Sequence, residues 1–200
     1  MADKLPVMES FYTIQGEGKN TGKAAYFIRL GGCDVGCTWC DVKESWPAEA
    51  HPQLSIETLV EMATAEKARN IVITGGEPLM YDLTALCAAL KAAGFYLMLE
   101  TSGAYPLSGQ FDWICVSPKK FKAPLESVLA QADELKVIVY NKHDLGWGPS
   151  FSSHLKADCL KLLQPEWGKQ KEMLPFIVDF VKEMPEWQIS LQTHKYMQIP

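Results

Sequence analysis

The sequence has no stretch approaching the ~20 consecutive apolar residues that a membrane-spanning helix needs. Met1 to Pro6 also lack the basic-then-apolar order of a signal peptide, so the expectation is a cytoplasmic chain with no membrane partner. Charge is scarce too: 22% of the 200 residues are charged, and 19 Lys and Arg against 24 Asp and Glu leave a formal charge of −5. The tightest basic group, Lys119, Lys120 and Lys122, reads as a solvated charge run rather than a phosphate-binding face, and nucleic acid is not an expected partner. No internal repeat, low-complexity tract or linker divides the chain. Its 48% apolar composition is enough for one core without help from disulfides. Residues 1–200 therefore read as a single domain.

Short apolar runs alternate with amphipathic stretches. The expected strands are Ala24 to Leu30, Asn70 to Thr74, Tyr96 to Glu100, Trp113 to Ser117, Leu135 to Tyr140, Cys159 to Gln164 and Trp187 to Gln192, with Val7 to Thr13 a weaker candidate. Helices are expected from a Ser55 cap through Ala68, from an Asp82 cap to Gly94, over Leu125 to Ala132, and over Lys169 to Met184, where Pro175 limits the helix before it to a first turn. Their apolar stripes read as core faces. Alternation of this kind argues for an α/β fold with a mostly parallel sheet, and about seven strands suit a partial or modified (βα) TIM-like barrel. Polar residues collect at or just past the C-terminal ends of the strands, the edge where such folds build active sites.

Six cysteines in a cytosolic chain are better read as thiols or metal ligands than as a disulfide framework. Cys33, Cys37 and Cys40 form a C-x3-C-x2-C loop, which lets one loop present three thiolates to three corners of an iron–sulfur cube, with Gly36 easing the turns. Cys87, Cys115 and Cys159 sit in apolar settings and read as small buried hydrophobes. One iron would then lack a protein ligand and be open to a chelating small molecule. The competing reading is a structural zinc loop, which normally takes four ligands. His51, eleven residues beyond Cys40 and flanked by Pro47 and Pro52, is an awkward fourth. A second motif, Thr74-Gly75-Gly76-Glu77-Pro78, follows an apolar run. Its glycines allow a ligand to approach the backbone closely, and Glu77 can accept hydrogen bonds from an ammonium or hydroxyls.

The cysteine loop matches the signature of radical S-adenosylmethionine enzymes, and the Gly-Gly-Glu-Pro turn resembles their methionine-binding turn. More narrowly, Phe11-Tyr12-Thr13-Ile14-Gln15-Gly16-Glu17-Gly18, Phe27-Ile28-Arg29-Leu30, Glu100-Thr101-Ser102-Gly103, Val116-Ser117-Pro118-Lys119 and Gln192-Thr193-His194-Lys195-Tyr196 look like the 7-carboxy-7-deazaguanine synthases of queuosine biosynthesis. That resemblance spans nearly the whole chain and is weakest from Lys122 to Asp158.

The resemblance implies a lyase that contracts the ring of 6-carboxy-5,6,7,8-tetrahydropterin with loss of ammonia, after a 5′-deoxyadenosyl radical takes hydrogen from C6. It implies a [4Fe–4S] cluster on Cys33, Cys37 and Cys40. Substrate contacts would fall to Ile14, Gln15, Gly16, Arg29, Thr74 and the Pro200 tail, and S-adenosylmethionine contacts to Trp39, Asp41, Gly76, Glu77, Ser117, Lys119 and Gln164. Arg29 suits a carboxylate through paired charge-assisted hydrogen bonds. Glu17 and Glu100 would face the pterin in catalytic positions without an assigned proton-transfer role. Plainer readings stay open beside these: Ile14 and Trp39 as core, Lys119 as a solvated charge, and His194 as a partner for a carbonyl. The resemblance further implies Mg²⁺, a homodimer and a reducing partner such as flavodoxin. At the position where the family usually offers a Thr or Ser hydroxyl to Mg²⁺, however, this chain has Val42, which has no lone pair. Two other classes remain as alternatives: another radical enzyme such as a glycyl-radical activase, and a non-catalytic metal or electron-transfer module.

Overall fold

The computed structural model describes residues 4–200; the reading of Met1 to Pro6 falls partly outside that range. The chain runs β1 (Lys4–Ile14), β2 (Ala24–Leu30), β3 (Gln53–Ser55), α1 (Ile56–Thr64), β4 (Asn70–Gly75), α2 (Thr84–Ala92), β5 (Tyr96–Thr101), β6 (Trp113–Val116), α3 (Glu126–Leu129), β7 (Glu134–Val139), α4 (His143–Trp147), β8 (Leu160–Pro165), α5 (Gln170–Glu183), β9 (Trp187–Ile189) and α6 (Thr193–Met197). The strands form one nine-stranded sheet in the order β3-β1-β2-β4-β5-β6-β7-β8-β9. From β2 to β9 every neighbouring pair is parallel. This is an α/β fold with a mixed sheet.

Two strands depart from the parallel pattern. The Val7 to Thr13 candidate is the centre of the long strand β1, antiparallel to β2, because the connection between them is too short for a crossover. The three-residue β3 had no visible signature, and it pairs antiparallel with the start of β1. Helix ends moved as well. Ser55 caps α1, its Oγ accepting from Thr58 N at 3.1 Å, but the helix stops at Thr64. Asp82 accepts from Thr84 N at 3.0 Å one residue outside the N-cap Leu83 of α2. The expected third helix is reduced to the single turn of α3. Pro175 lies inside α5, with five residues of helix before it rather than one turn. Its missing N–H forgoes the helical bond to Lys171 O, a cost that the packing of Met173 and Ile177 into the core offsets.

Period-two alternation gives the sheet two different faces. On one, Ile28, Leu30, Ile71, Ile73, Leu97, Leu99, Val116, Leu135, Val137 and Leu163 pack with Leu59 of α1, Leu86 and Leu90 of α2, and Met173 and Ile177 of α5 into the main core. On the other, Ala25, Val72 and Met98 form a small second cluster with Phe27 and Trp113. The same face carries Arg29, Thr74, Glu100, Glu134, Lys136 and Gln164. Burial also accounts for the isolated cysteines: Cys87, Cys115 and Cys159 are buried, and burial pushes the Cys87 and Cys159 thiols up to about 11. Among the described residues no helix is long and apolar enough to cross a membrane.

Leu86 is fully buried between α2 and the sheet. Leu86→Ala is expected to destabilise the fold by about 2–5 kcal/mol, and loss of the Ser55 cap in Ser55→Ala by about 1 kcal/mol, both read from urea denaturation midpoints.

Candidate active site

The polar face of the sheet and the loops at the C-terminal ends of its parallel strands enclose one large cavity. Cys33, Cys37 and Cys40 line it from the loop after β2, and Glu17, Glu100 and Lys136 line it from the segment after β1, from β5 and from β7. Every residue singled out from the sequence for substrate, S-adenosylmethionine or cluster contact lies on its wall: Ile14, Gln15, Gly16, Arg29, Trp39, Asp41, Thr74, Gly76, Glu77, Ser117, Lys119, Gln164 and Pro200 join those already named.

The cysteine loop is braced against the turn after β4. Gly76 N donates to Leu30 O at 2.9 Å, Glu77 N to Gly32 O at 2.8 Å, and Cys33 N to Trp46 O at 3.1 Å. Gly75 holds φ at +146°, where a Cβ would run into the Leu30 backbone, so the turn can lie this close to the loop only with glycine there. Burial raises the Cys37 thiol to about 11 against the opposing pull of Lys119, and burial also raises the Cys33 thiol. Among the described residues no three His, Cys, Asp or Glu side chains converge as they stand into a metal-holding group. As a donor set, three thiols on one loop facing a cavity fit an iron–sulfur cluster with one iron left open, and assembly must displace their protons. His51 is no fourth ligand, since its Nε2 contacts Glu44 O at 2.8 Å.

Glu77 has a different setting from the one its motif suggests. Its carboxylate is buried and accepts from Leu79 N at 3.0 Å, Thr101 Oγ1 at 2.5 Å, Ser102 N at 2.8 Å and Ser102 Oγ at 2.5 Å. The hydroxyls it serves are the protein's own; three of the four bonds, from Thr101 and Ser102, tie the β4 turn to the end of β5. A carboxylate offers about four acceptor sites, so Glu77 holds the shape of the wall.

The plainer readings are settled by position. Lys119 is not a free solvated charge: its Nζ donates to Ser117 O at 2.6 Å and Ser117 Oγ at 2.7 Å, and stands 5.8 Å from the centre of the Trp39 ring. Burial lowers its ammonium pKa. Ile14 and Trp39 are half-buried on the cavity wall, outside both core clusters. The His194 ring presses against Gly16, where a Cβ would collide with it, and burial lowers its pKa. The C-terminal segment is pinned to β1 and the residues after it by Thr193 N, which donates to Gly16 O at 2.8 Å, and by Thr13 Oγ1, which donates to Pro200 O at 3.3 Å; His194 and Pro200 join the cavity wall.

Arg29, on the cavity wall, donates through Nε to Glu9 at 2.6 Å, which fixes the guanidinium. Asp41 accepts from Lys195 Nζ at 3.1 Å. Val42 beside it on the wall has no side-chain oxygen, so the hydroxyl ligand that the resemblance implies for Mg²⁺ is missing here.

Lys136 was missed in the sequence, although its signal is there: Glu134 and Lys136 are two charges at alternate positions of an otherwise apolar strand. Its Nζ lies 2.6 Å from Glu17 and 2.9 Å from Glu100. Burial raises the Glu17 pKa, but the Lys136 charge and hydrogen bonds from Lys136, Gln164 and Gln192 outweigh it and leave the group at about 2. Glu100, where burial is reinforced by Glu134 and Glu17, stays above its ordinary value despite Lys136.

Fold and cavity together define a radical S-adenosylmethionine protein, and the family model described as the Radical SAM superfamily matches residues 27–117. The finer match follows from whole-chain relatives. The chain is 55% identical to the 7-carboxy-7-deazaguanine synthase of Flavobacterium psychrophilum, over 99% of this chain and 94% of that one. It is 47% identical to the synthase of Synechocystis, over 96% and 92%. It superposes on the crystal structure of QueE from Escherichia coli with a TM-score of 0.84 at 32% identity, covering 96% of this chain and 95% of that one. The chain belongs to the 7-carboxy-7-deazaguanine synthase family.

Glu77→Gln places an amide nitrogen where a carboxylate oxygen now accepts two hydrogen bonds. The variant is expected to lose about 1–3 kcal/mol of stability and to bind S-adenosylmethionine more weakly through the loosened turn, as measured by thermal melting and by titration of the cluster-loaded protein.

Proposed function

We propose that this chain is a lyase of queuosine biosynthesis that converts 6-carboxy-5,6,7,8-tetrahydropterin to 7-carboxy-7-deazaguanine with loss of ammonia. The observation that carries the reading is a single cavity with a three-thiol loop on one side and a carboxylate, amide and guanidinium wall on the other. Cys33, Cys37 and Cys40 would hold a [4Fe–4S] cluster. When bound, the cluster and S-adenosylmethionine supply a 5′-deoxyadenosyl radical, chemistry that belongs to the cofactors.

The chain's own part is position and polarity. Gly76 with the turn braced by Glu77, together with Trp39, Asp41, Ser117, Lys119 and Gln164, forms the S-adenosylmethionine side, Lys119 being anchored on Ser117. Arg29 meets the substrate carboxylate with its free guanidinium edge. Ile14, Gln15, Gly16, Thr74 and Pro200 shape the pterin slot, and Glu17 and Glu100 offer carboxylates to its polar edge. The segment from Thr193 to Pro200 contributes His194 and Pro200 to the cavity wall. On family grounds the reading includes a partial (βα) barrel, a homodimer and a low-potential reductant such as flavodoxin. No step uses Mg²⁺, because Val42 supplies no hydroxyl ligand for it.

The test is anaerobic reconstitution followed by reductant, S-adenosylmethionine and the pterin, with deoxyadenosine and carboxydeazaguanine assayed by mass spectrometry. Pterin-dependent carboxydeazaguanine is expected; deoxyadenosine without it would remove this substrate. Alanine at Cys33, Cys37 or Cys40 should abolish the brown cluster absorbance and both products, whereas alanine at Cys87 or Cys159 should leave the absorbance in place. Turnover of the reconstituted enzyme should change by less than about twofold between added Mg²⁺ and a chelator. A strong dependence would mean that water or another oxygen completes a cation site.

A further inference from the structure

The buried charge at the floor of the cavity has no role in the reading so far. The Lys136 side chain is 4% exposed and is the only cation bonded to both Glu17 and Glu100 among the described residues. Those carboxylates come from segments distant in sequence, and their other oxygens are engaged as well. Gln192 Nε2 donates to Glu17 Oε1 at 2.9 Å, and Gln15 Nε2 to Glu100 Oε1 at 3.3 Å. A buried ion cluster of this kind adds little stability over a packed apolar one. Its place on the cavity wall therefore calls for a functional account.

We propose that Lys136 is a positioning residue for the ring contraction, its ammonium holding Glu17 and Glu100 as an ordered pair in which one stays charged and the other exchanges a proton. The inference rests on the activity proposed above. That conversion is redox-neutral overall: the hydrogens missing from the deazaguanine leave with the ammonia. Protons must therefore move off the ring skeleton and onto the departing nitrogen inside a cavity partly closed to water. Two carboxyl groups that hold a proton with different strength serve both directions.

The groups facing Lys136 are Glu17 from the segment after β1, Glu100 from β5, Cys115 from β6 and Glu134 from its own strand, with Lys119 and His194 at longer range. Burial alone would lower the Lys136 pKa; Cys115, Glu100, Glu17 and Glu134 carry it well above the ordinary value instead. The ammonium is thus charged throughout the working range. Glu17 titrates at about 2 and Glu100 above its ordinary value, the asymmetry that the pair needs. Glu134 lies outside the cavity lining, its Oε2 accepting from Lys19 N at 2.9 Å and Trp113 Nε1 at 3.3 Å.

The experiment uses reconstituted holoenzyme variants Lys136→Met, which removes the charge at similar volume, and Lys136→Arg, which keeps it. Expected for Lys136→Met is a fall in carboxydeazaguanine kcat of about 100-fold, with cluster absorbance and pterin-independent deoxyadenosine formation kept within about threefold. Without the cation, Glu17 protonates at higher pH, so the acid limb of the kcat profile should move up. Lys136→Arg should recover at least about tenfold of the loss and return the acid limb.

Should the charge loss unfold the chain, Lys136→Met combined with Glu134→Gln removes one buried negative charge outside the cavity and gives a folded protein for the same assays. Product formation within about threefold of wild type at an unmoved pH profile would overturn the proposal. So would parallel loss of product and deoxyadenosine that Lys136→Arg cannot restore. Wild-type turnover in the same assay separates failure of this inference from failure of the activity beneath it.

Discussion

The alternation of side chains along a strand is the constraint on which the rest of the structure depends. Each central strand must satisfy two environments at once: an apolar layer under the helices and a polar wall around the cavity. On β7, Leu135, Val137 and Val139 belong to the core, while Glu134, Lys136 and Ile138 take the other side. On β5, Leu97 and Leu99 are core and Glu100 is wall. A one-residue slip in register would bury the charges under the helices and turn the leucines into the cavity. Helix packing, which fixes the register, thereby also aims the functional groups.

The second constraint is backbone proximity. The cysteine loop and the β4 turn approach within hydrogen-bonding distance, and the positive φ of Gly75 makes this possible. Glu77 then transmits the arrangement to the end of β5 through the three bonds it accepts from Thr101 and Ser102. The turn after β4, the cysteine loop and the Glu100 strand form one braced unit. This suits chemistry in which the radical source and the substrate must stay in fixed relation.

Much of the site was legible in the sequence because its motifs are local. C-x3-C-x2-C, Gly-Gly-Glu-Pro and Gln-Gly-Glu-Gly each pack their residue types into a few consecutive positions, and the strands that precede them are short and apolar enough to find by composition. The residues that were hard to read act at a distance. Lys136 has no motif around it, and its partners Glu17 and Glu100 become neighbours only when β7, β5 and the segment after β1 share a wall. The three-residue β3 carries too little pattern to be seen, and its pairing with β1 is a tertiary event. Pro175 looked like a sharper limit than it is, since tertiary packing of Met173 and Ile177 holds the helix on both sides of it.

Sequence by itself singled out the residue types: three closely spaced thiols that suit a cluster, a glycine turn that lets a ligand approach the backbone, and an arginine that suits a carboxylate. These follow from residue type and short spacing. Tertiary structure alone decided the electrostatics. It turned Glu77 from an apparent ligand group into a brace, anchored Lys119 on Ser117, and set one buried ammonium between two carboxylates so that they titrate apart. Desolvation and charge pairing depend on what surrounds a group in space, and the order of residues along the chain carries that information only through the fold.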